Sequence, residues 1–389
     1  MFAPFRLAFA LCLAALPALA QSFETQATAA YVIDHNTGQV LLDFNADEPL
    51  PPASMSKLMT INMVFEALEA GQLTLDTLLP VSQAAMDYGG STMFLNTRDR
   101  VSVEDLLLGV IVLSGNDATA VLAEALSPDG TEAGFAALMT RRARQLGMMN
   151  SNFVNSNGWP DPAHVMSMRD LGILAERLIT EFPQYYPYFA LTEFEFDGRA
   201  PDNRFNRNPL LALDIGADGL KTGFTNEAGY GLVGSAVQGE RRVTFVITGL
   251  PSREARAREA ERIANWAFRQ FAEREVVATG IEVAQAEVFL GEAASVGLTT
   301  AGNISMLLPS LVDTEIEAEA IFNGPIQAPI TAGQELGELV VRINGFGERR
   351  VPLVASTDIG PAGFLQRVRV AADYVFEMIR EGDNPLTAG

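Results

Sequence analysis

Ser54 and Lys57 stand three residues apart in the stretch "PPASMSKLMT". Positions i and i+3 share one face of a helix, and Pro51 and Pro52 suit the start of one. The spacing predicts a serine in the first turn with an amine stacked above it. A serine hydroxyl is a weak nucleophile until a neighbouring base takes its proton. A lysine amine can be that base if burial and a second cation lower its pKa. Ser56 adjoins Lys57 in sequence but points about 100° away around the axis, which makes it the poorer nucleophile.

The chain has 27 basic residues, and only Lys57 and Lys221 are lysine. Both types serve a surface equally, but only lysine can lose its proton in a protein interior. A chain that otherwise writes arginine keeps lysine where a neutral amine or a compact ammonium is needed; a G+C-rich genome would also deplete lysine. Lys221 opens Lys221-Thr222-Gly223, just before a predicted sheet edge. The glycine lets another backbone approach closely, and the lysine and threonine could hold a carboxylate. Lys221 is the expected second cation for Lys57. A third polar piece, Ser114-Gly115-Asn116, interrupts an apolar helix after Leu113. Its groups need partners beside so apolar a segment, although an ordinary inter-helix turn would read the same. Asn116 or Asp117 can cap the next helix.

Other chemistries are poorly supplied. A serine triad needs histidine, and the chain has only His35, in a hairpin turn, and His164, in a Pro-rich loop; both read as surface residues. The metal spacing H-E-x-x-H is absent.

The elements that must position these groups follow from patterning. "AAYVIDHNTGQVLLDF" reads as a hairpin, with strands Ala29–Asp34 and Gln39–Phe44 around Asn36-Thr37-Gly38. Residues 54 to about 180 read as mostly helical, including an apolar helix from Leu106 to Leu113 with a capping box at Ser102 and Asp105. Two strands return over 230–250, with a turn near Gln238-Gly239, and a long helix is expected from Ser252 to about Arg274. Strands enclosing a helical middle predict a mixed α/β (α+β) domain over 21–275. Short runs between Gly, Pro and Asn turns predict a small all-β domain over 277–357.

The ends are different again. Arg6, the apolar run Leu7–Leu16 and Ala18-Leu19-Ala20 form the pattern of a secretory signal peptide over 1–20, a signal anchor being the rival. Cys12, the only cysteine, lies within it, so no thiol chemistry is expected of the mature chain. Residues 361–381 form an amphipathic helix, with Phe364, Leu365, Val368, Ala371, Ala372, Val375, Met378 and Ile379 on one face. Such a stripe packs either against the protein's own core or into a membrane interface. The net charge of −21 argues against a nucleic-acid partner, and an exported acidic chain without disulfides suits a bacterial periplasm.

Ser54-x-x-Lys57, Ser114-Gly115-Asn116 and Lys221-Thr222-Gly223, in this order, form the signature of penicillin-binding proteins and class A β-lactamases. "PASMSKLMT", "LSGNDA", "NRN" at 206–208 and "DGLKTGFTNEAGY" resemble the low-molecular-mass D-alanyl-D-alanine carboxypeptidases, the penicillin-binding protein 5 and 6 group, and the likeness covers nearly the whole chain. The resemblance implies a serine β-lactamase/transpeptidase-like domain with a helical lobe, then the β domain and the helix. It implies a periplasmic enzyme held through residues 362–380, peripherally, on the outer face of the inner membrane. Substrates would be peptidoglycan stem peptides, with β-lactam antibiotics as covalent inhibitors, and neither metal nor cofactor would be needed. Ser54 would attack the carbonyl between two terminal D-alanines, with Lys57 as base. Ser114 would relay a proton to the leaving group, and Asn116 would hold Lys57 and the substrate amide. Lys221, Thr222 and Arg207 would bind the free carboxylate. Backbone N–H groups of Ser54 and Phe224 would form the oxyanion hole, Gly223 lying between Thr222 and Phe224. Phe224 stands where many members carry histidine, and the terminal helix has few cations, so its anchoring would rest on apolar burial.

Three rivals remain. A D,D-endopeptidase uses the same chemistry. A β-lactamase needs a deacylation base, and "NSNGWPDPAHVMSMRD" contains no glutamate. A non-enzymatic cell-wall binding protein predicts decayed motifs, and all three are intact.

Overall fold

Alternation along the first strand sets the layering. In β1 (Ala29–Asp34), Ala29 and Tyr31 enter one core while Ala30 and Val32 enter another on the opposite face. A sheet apolar on both sides must be covered on both sides. The computed structural model shows this for the residues it describes, 23–199, 203–310, 316–343, 347–364 and 368.

After β2 (Val40–Phe44), one 3₁₀ turn (Ala53–Ser56) leads into α1 (Lys57–Glu69). The helical lobe continues through β3 (Leu78–Pro80), α2 (Gln83–Met86), β4 (Arg100–Ser102), α3 (Val103–Leu108), α4 (Asn116–Leu126), α5 (Glu132–Gln145) and α6 (Met168–Thr180). The main sheet is completed by β5 (Ala217–Thr225), β6 (Gly229–Gln238) and β7 (Arg241–Leu250), in the order β2-β1-β7-β6-β5, all antiparallel. β5 is therefore an edge strand, and its free edge borders the lobe.

α7 (Arg253–Arg269) covers the second face through Ala260, Ile263, Ala264 and Ala267. The helix expected to run to Arg274 ends at Arg269. Phe271 is buried and opens β8 (Phe271–Val277), which pairs with β11 (Ile304–Pro309). The polar run Glu273-Arg274-Glu275 suits a helix by propensity, but cross-strand pairing overrides it. β9 (Glu282–Phe289), β10 (Ser295–Thr300), β12 (Ile316–Phe322), β13 (Ile326–Gln327), β14 (Glu335–Ile343) and β15 (Gly347–Ala355) form a second sheet around Val296, Leu298, Met306, Val341 and Leu353. The molecule is thus a mixed α/β fold followed by an all-β domain. The signal segment 1–20 lies outside the described residues. So does the C-terminal helix beyond residue 364, Val368 apart.

The two parts are joined by side chains that imitate backbone. The amide of Gln39 donates to Leu307 O at 3.0 Å and accepts from Leu307 N at 3.0 Å, both ends buried. Arg241 pairs with the fully buried Asp34 at 3.0 Å and donates to the carbonyls of Ala267 and Phe271, where α7 gives way to β8. Replacing Gln39 by Ala leaves two buried backbone groups unpaired. It should lower stability by about 1–3 kcal/mol in urea unfolding; an unchanged midpoint would show that the joint contributes nothing.

Candidate active site

The nucleophile candidate is set by a strained entry to α1. Ala53 has φ +48°, a conformation that costs a non-glycine residue roughly 1–3 kcal/mol unless its surroundings enforce it. They do so here: a Cβ on Gly158 would lie 1.9 Å from Ala53 O, and one on Gly223 would lie 3.3 Å from Ala53 Cβ. Two glycines thus let the 155–159 loop and β5 close on the turn carrying Ser54.

Lys57 is fully buried, with Nζ 2.9 Å from Ser54 Oγ and 2.7 Å from Asn157 O. In the neutral amine, one N–H serves Asn157 O and the lone pair can face the Ser54 hydroxyl, the arrangement a general base requires. Burial holds the Lys57 ammonium well below the ordinary lysine range. Arg207 pushes it further down, while Asp117 and Glu132 pull up. Lys221 is also buried and lowered, by desolvation first and then by Lys57, Arg207 and Arg256. The expected role of Lys221 as the cation acting on Lys57 is therefore shared: Arg207 is the principal positive neighbour of Lys57, and Lys57 and Lys221 disfavour each other's charge.

The third piece follows from a helix that changes pitch. After α3, Gly109–Leu113 forms a buried π turn, ending at Ser114 in the left-handed region with φ +62°. Asn116 begins α4, but Gly115 is its cap, and neither Asn116 nor Asp117 caps it with a side chain. Asp117 instead receives the backbone N–H groups of Met93, Leu95 and Ala118 at 2.9–3.1 Å, so it fastens the 93–95 segment. Asn116 Nδ2 donates to Gly89 O at 2.8 Å, while Lys57 Nζ meets Ser54 Oγ and Asn157 O. The carbonyl that serves Lys57 is that of Asn157.

Ser54, Ser114, Asn116, Arg207, Thr222, Gly223 and Phe224 line one cleft of about 760 Å³. Lys57 and Lys221 lie buried against it, and Lys57 reaches it through Ser54. Arg207 donates to Ser91 Oγ at 2.9 Å and to Leu113 O, which engages much of its guanidinium. Phe224 is about half exposed and stacks on Tyr230 at 4.1 Å.

Several lining groups were not foreseen. Arg253 and Arg256, in the first turn of α7, line the cleft. Arg256 is buried, its Nε has no partner, its Nη2 donates to Arg207 O at 3.2 Å, and burial lowers its pKa to about 10. Cations at a helix N-terminus oppose the macrodipole, and that signal was legible in "SREAR". Asn157 and Trp159 come from the loop 155–159, where one of the chain's two tryptophans was the available clue. The histidines are not surface residues as expected. His164 is buried, accepts from Val154 N at Nδ1 and so donates from Nε2 to Ser56 Oγ at 2.7 Å, which turns Ser56 away from the cleft. His35 is partly buried against Thr244. Burial lowers both to about 4.

A family model described as D-alanyl-D-alanine carboxypeptidase matches residues 17–252, and one described as penicillin-binding protein 5, C-terminal domain, matches residues 271–360. The chain is similar to the D-alanyl-D-alanine carboxypeptidase DacF of Bacillus subtilis, with 33% identity over 87% of each chain. It resembles penicillin binding protein 5 from Haemophilus influenzae at a TM-score of 0.74 and 32% identity, over 87% of this chain and 99% of that one. It also resembles penicillin-binding protein D2 from Listeria monocytogenes, solved in an ampicillin-bound form, at a TM-score of 0.56 and 33% identity, over 62% of this chain and 98% of that one.

With Lys57 lowered, its neutral base form persists to lower pH than that of an ordinary lysine and is lost as pH falls through its pKa. Acylation of Ser54 by an activated ester, followed by intact mass, should therefore rise with pH. Lys57→Arg keeps the positive charge and cannot accept the proton, so it should slow acylation by about 100-fold or more. A near wild-type rate in that variant would remove Lys57 from the base role.

Proposed function

The chain belongs to the D-alanyl-D-alanine carboxypeptidase family, and we propose that it is a serine D,D-carboxypeptidase that removes the terminal D-alanine from peptidoglycan stem peptides and is acylated by β-lactams. The observation that carries this reading is the buried Lys57 amine 2.9 Å from Ser54 Oγ, in a cleft otherwise rich in cations.

The stem peptide lies along the free edge of β5, where unpaired backbone groups can add a strand. Its terminal carboxylate meets Thr222 together with the positive field of Lys221, Arg207 and the underused guanidinium of Arg256. Ser54 Oγ attacks the carbonyl carbon of the penultimate D-alanine as its proton passes to Lys57 Nζ. The oxyanion forms beside the backbone N–H groups of Ser54 and Phe224. Collapse breaks the C–N bond, and the departing amine takes a proton from Lys57 through Ser114. The resulting ester is hydrolysed by water, with the same amine as base. Arg207 favours the neutral state of Lys57 by its charge, and Asn116 shapes the cleft from the 89–91 side.

The proposal extends to location. The signal pattern over 1–20 supports export to a periplasm, and the apolar stripe over 362–380 supports peripheral attachment to the outer face of the inner membrane. Among the described residues, no helix is long and apolar enough to cross a membrane.

Fluorescent penicillin should label the wild type and leave Ser54→Ala dark; equal labelling of both would end the reading. Mass spectrometry of pentapeptide incubated with the protein should show loss of one alanine, whereas cleavage of cross-linked dimers alone would assign the endopeptidase reaction. Deleting residues 362–389 should move the protein from membrane to soluble fractions with activity kept; retention on membranes would place the attachment elsewhere.

A further inference from the structure

One half-buried carboxylate behind the cleft has no part in the chemistry above. Glu132 opens α5, and its side chain meets the 155–159 loop. Its Oε1 accepts from Ser156 N at 2.9 Å and from Ser156 Oγ, and lies 3.5 Å from Asn157 Nδ2. Its Oε2 accepts from Tyr88 OH. Burial and Glu132 itself raise the Tyr88 pKa, so this phenol stays a donor.

The groups it fastens all belong to the site. Asn157 supplies the carbonyl that receives Lys57 Nζ, and Gly158 packs on the Ala53 backbone. Trp159 forms a wall of the cleft and meets Tyr88 edge-on at 6.0 Å. Tyr88 adjoins Gly89, whose carbonyl receives Asn116 Nδ2. A single side chain therefore ties the two rims of the cleft together.

We propose that Glu132 is a positioning residue for acylation, clamped between Tyr88 and Ser156 so that it aims the Asn157 carbonyl at Lys57 Nζ and sets the Trp159 wall. The proposal rests on the reading that Ser54 is acylated with Lys57 as base. Glu132 is not a deacylation base: both carboxylate oxygens are occupied by Ser156 and Tyr88, and it does not line the cleft. Its charge acts on Lys57 alongside Asp117, against Arg207 and Lys221, with His164 also within the field of Lys57.

Acylation by fluorescent penicillin across pH, with kcat and KM on pentapeptide, separates positioning from mere scaffolding. Glu132→Ala should slow acylation by about 100-fold, the order expected when a reacting geometry is displaced by an ångström, and should act mainly on kcat. Glu132→Gln can still accept from Ser156 and should recover most of the high-pH plateau. Its acid limb should move to lower pH, because a negative charge that favours the Lys57 ammonium is gone. Tyr88→Phe should fall between the two. A wild-type rate in folded Glu132→Ala, or an unmoved acid limb in Glu132→Gln, would overturn the proposal; if the alanine variant fails to fold, the glutamine limb decides. Absence of labelling in the wild type would instead defeat the acylation reading itself.

Discussion

An amine without room to keep its charge is the constraint on which the site depends. Lys57 is among the largest fully buried side chains of the described residues, set among apolar neighbours of α1 and against the loop that covers it. Removing an ammonium from water is costly unless it is paired, and the polar groups that Lys57 touches, a serine hydroxyl and a backbone carbonyl, carry no compensating charge. The fold therefore biases this side chain toward its neutral form, beside a serine hydroxyl. Close packing is what makes this possible. Gly158 and Gly223 remove the side chains that would hold the loop and the sheet edge away from Ala53, and without that approach water would reach the amine.

The cleft is organised as a gradient of charge. At its floor lie two amines that disfavour each other's protonation; beside them are Arg207 and Arg256, neither facing a carboxylate within hydrogen-bonding distance among the described residues. Such a set is unstable alone and favourable with an anion present, so the binding energy of a carboxylate is directed to the place where the reaction needs it. The remaining walls are polar or aromatic, with Phe224 on Tyr230 at one side and Trp159 at the other.

The Ser54–Lys57 pair, the other two motif segments and much of the strand pattern were legible from sequence, because each has local periodicity or turn chemistry behind it: Ser54 and Lys57 by helical spacing, β6 and β7 by two runs about the Gln238-Gly239 turn, the break at Ser114 by its contrast with Leu106–Leu113. Features that depend on contact between distant segments were not. His164 looked like a loop residue and is buried because Ser56 and Phe153 come to meet it. Asp117 looked like a cap, yet the 93–95 backbone claims it. The end of α7 was misplaced because β11, more than thirty residues on, recruits Phe271–Val277 as a strand. Glu132 offered no signal at all, since its partners at 88 and 156 lie on separate segments.

Confining lysine to the interior has an effect on the molecule as a whole. Both lysines are buried, so every exposed Lys or Arg side chain is a guanidinium, which does not titrate in the accessible range. Both histidines titrate near pH 4, and phenols ordinarily ionise only near pH 10. Apart from the chain's α-amino group, the outside of the protein therefore carries no amine, and the lysine side chains are the two interior ones. A spectroscopic probe of lysine side chains is thereby a probe of the cleft, free of the background that surface lysines impose on most proteins.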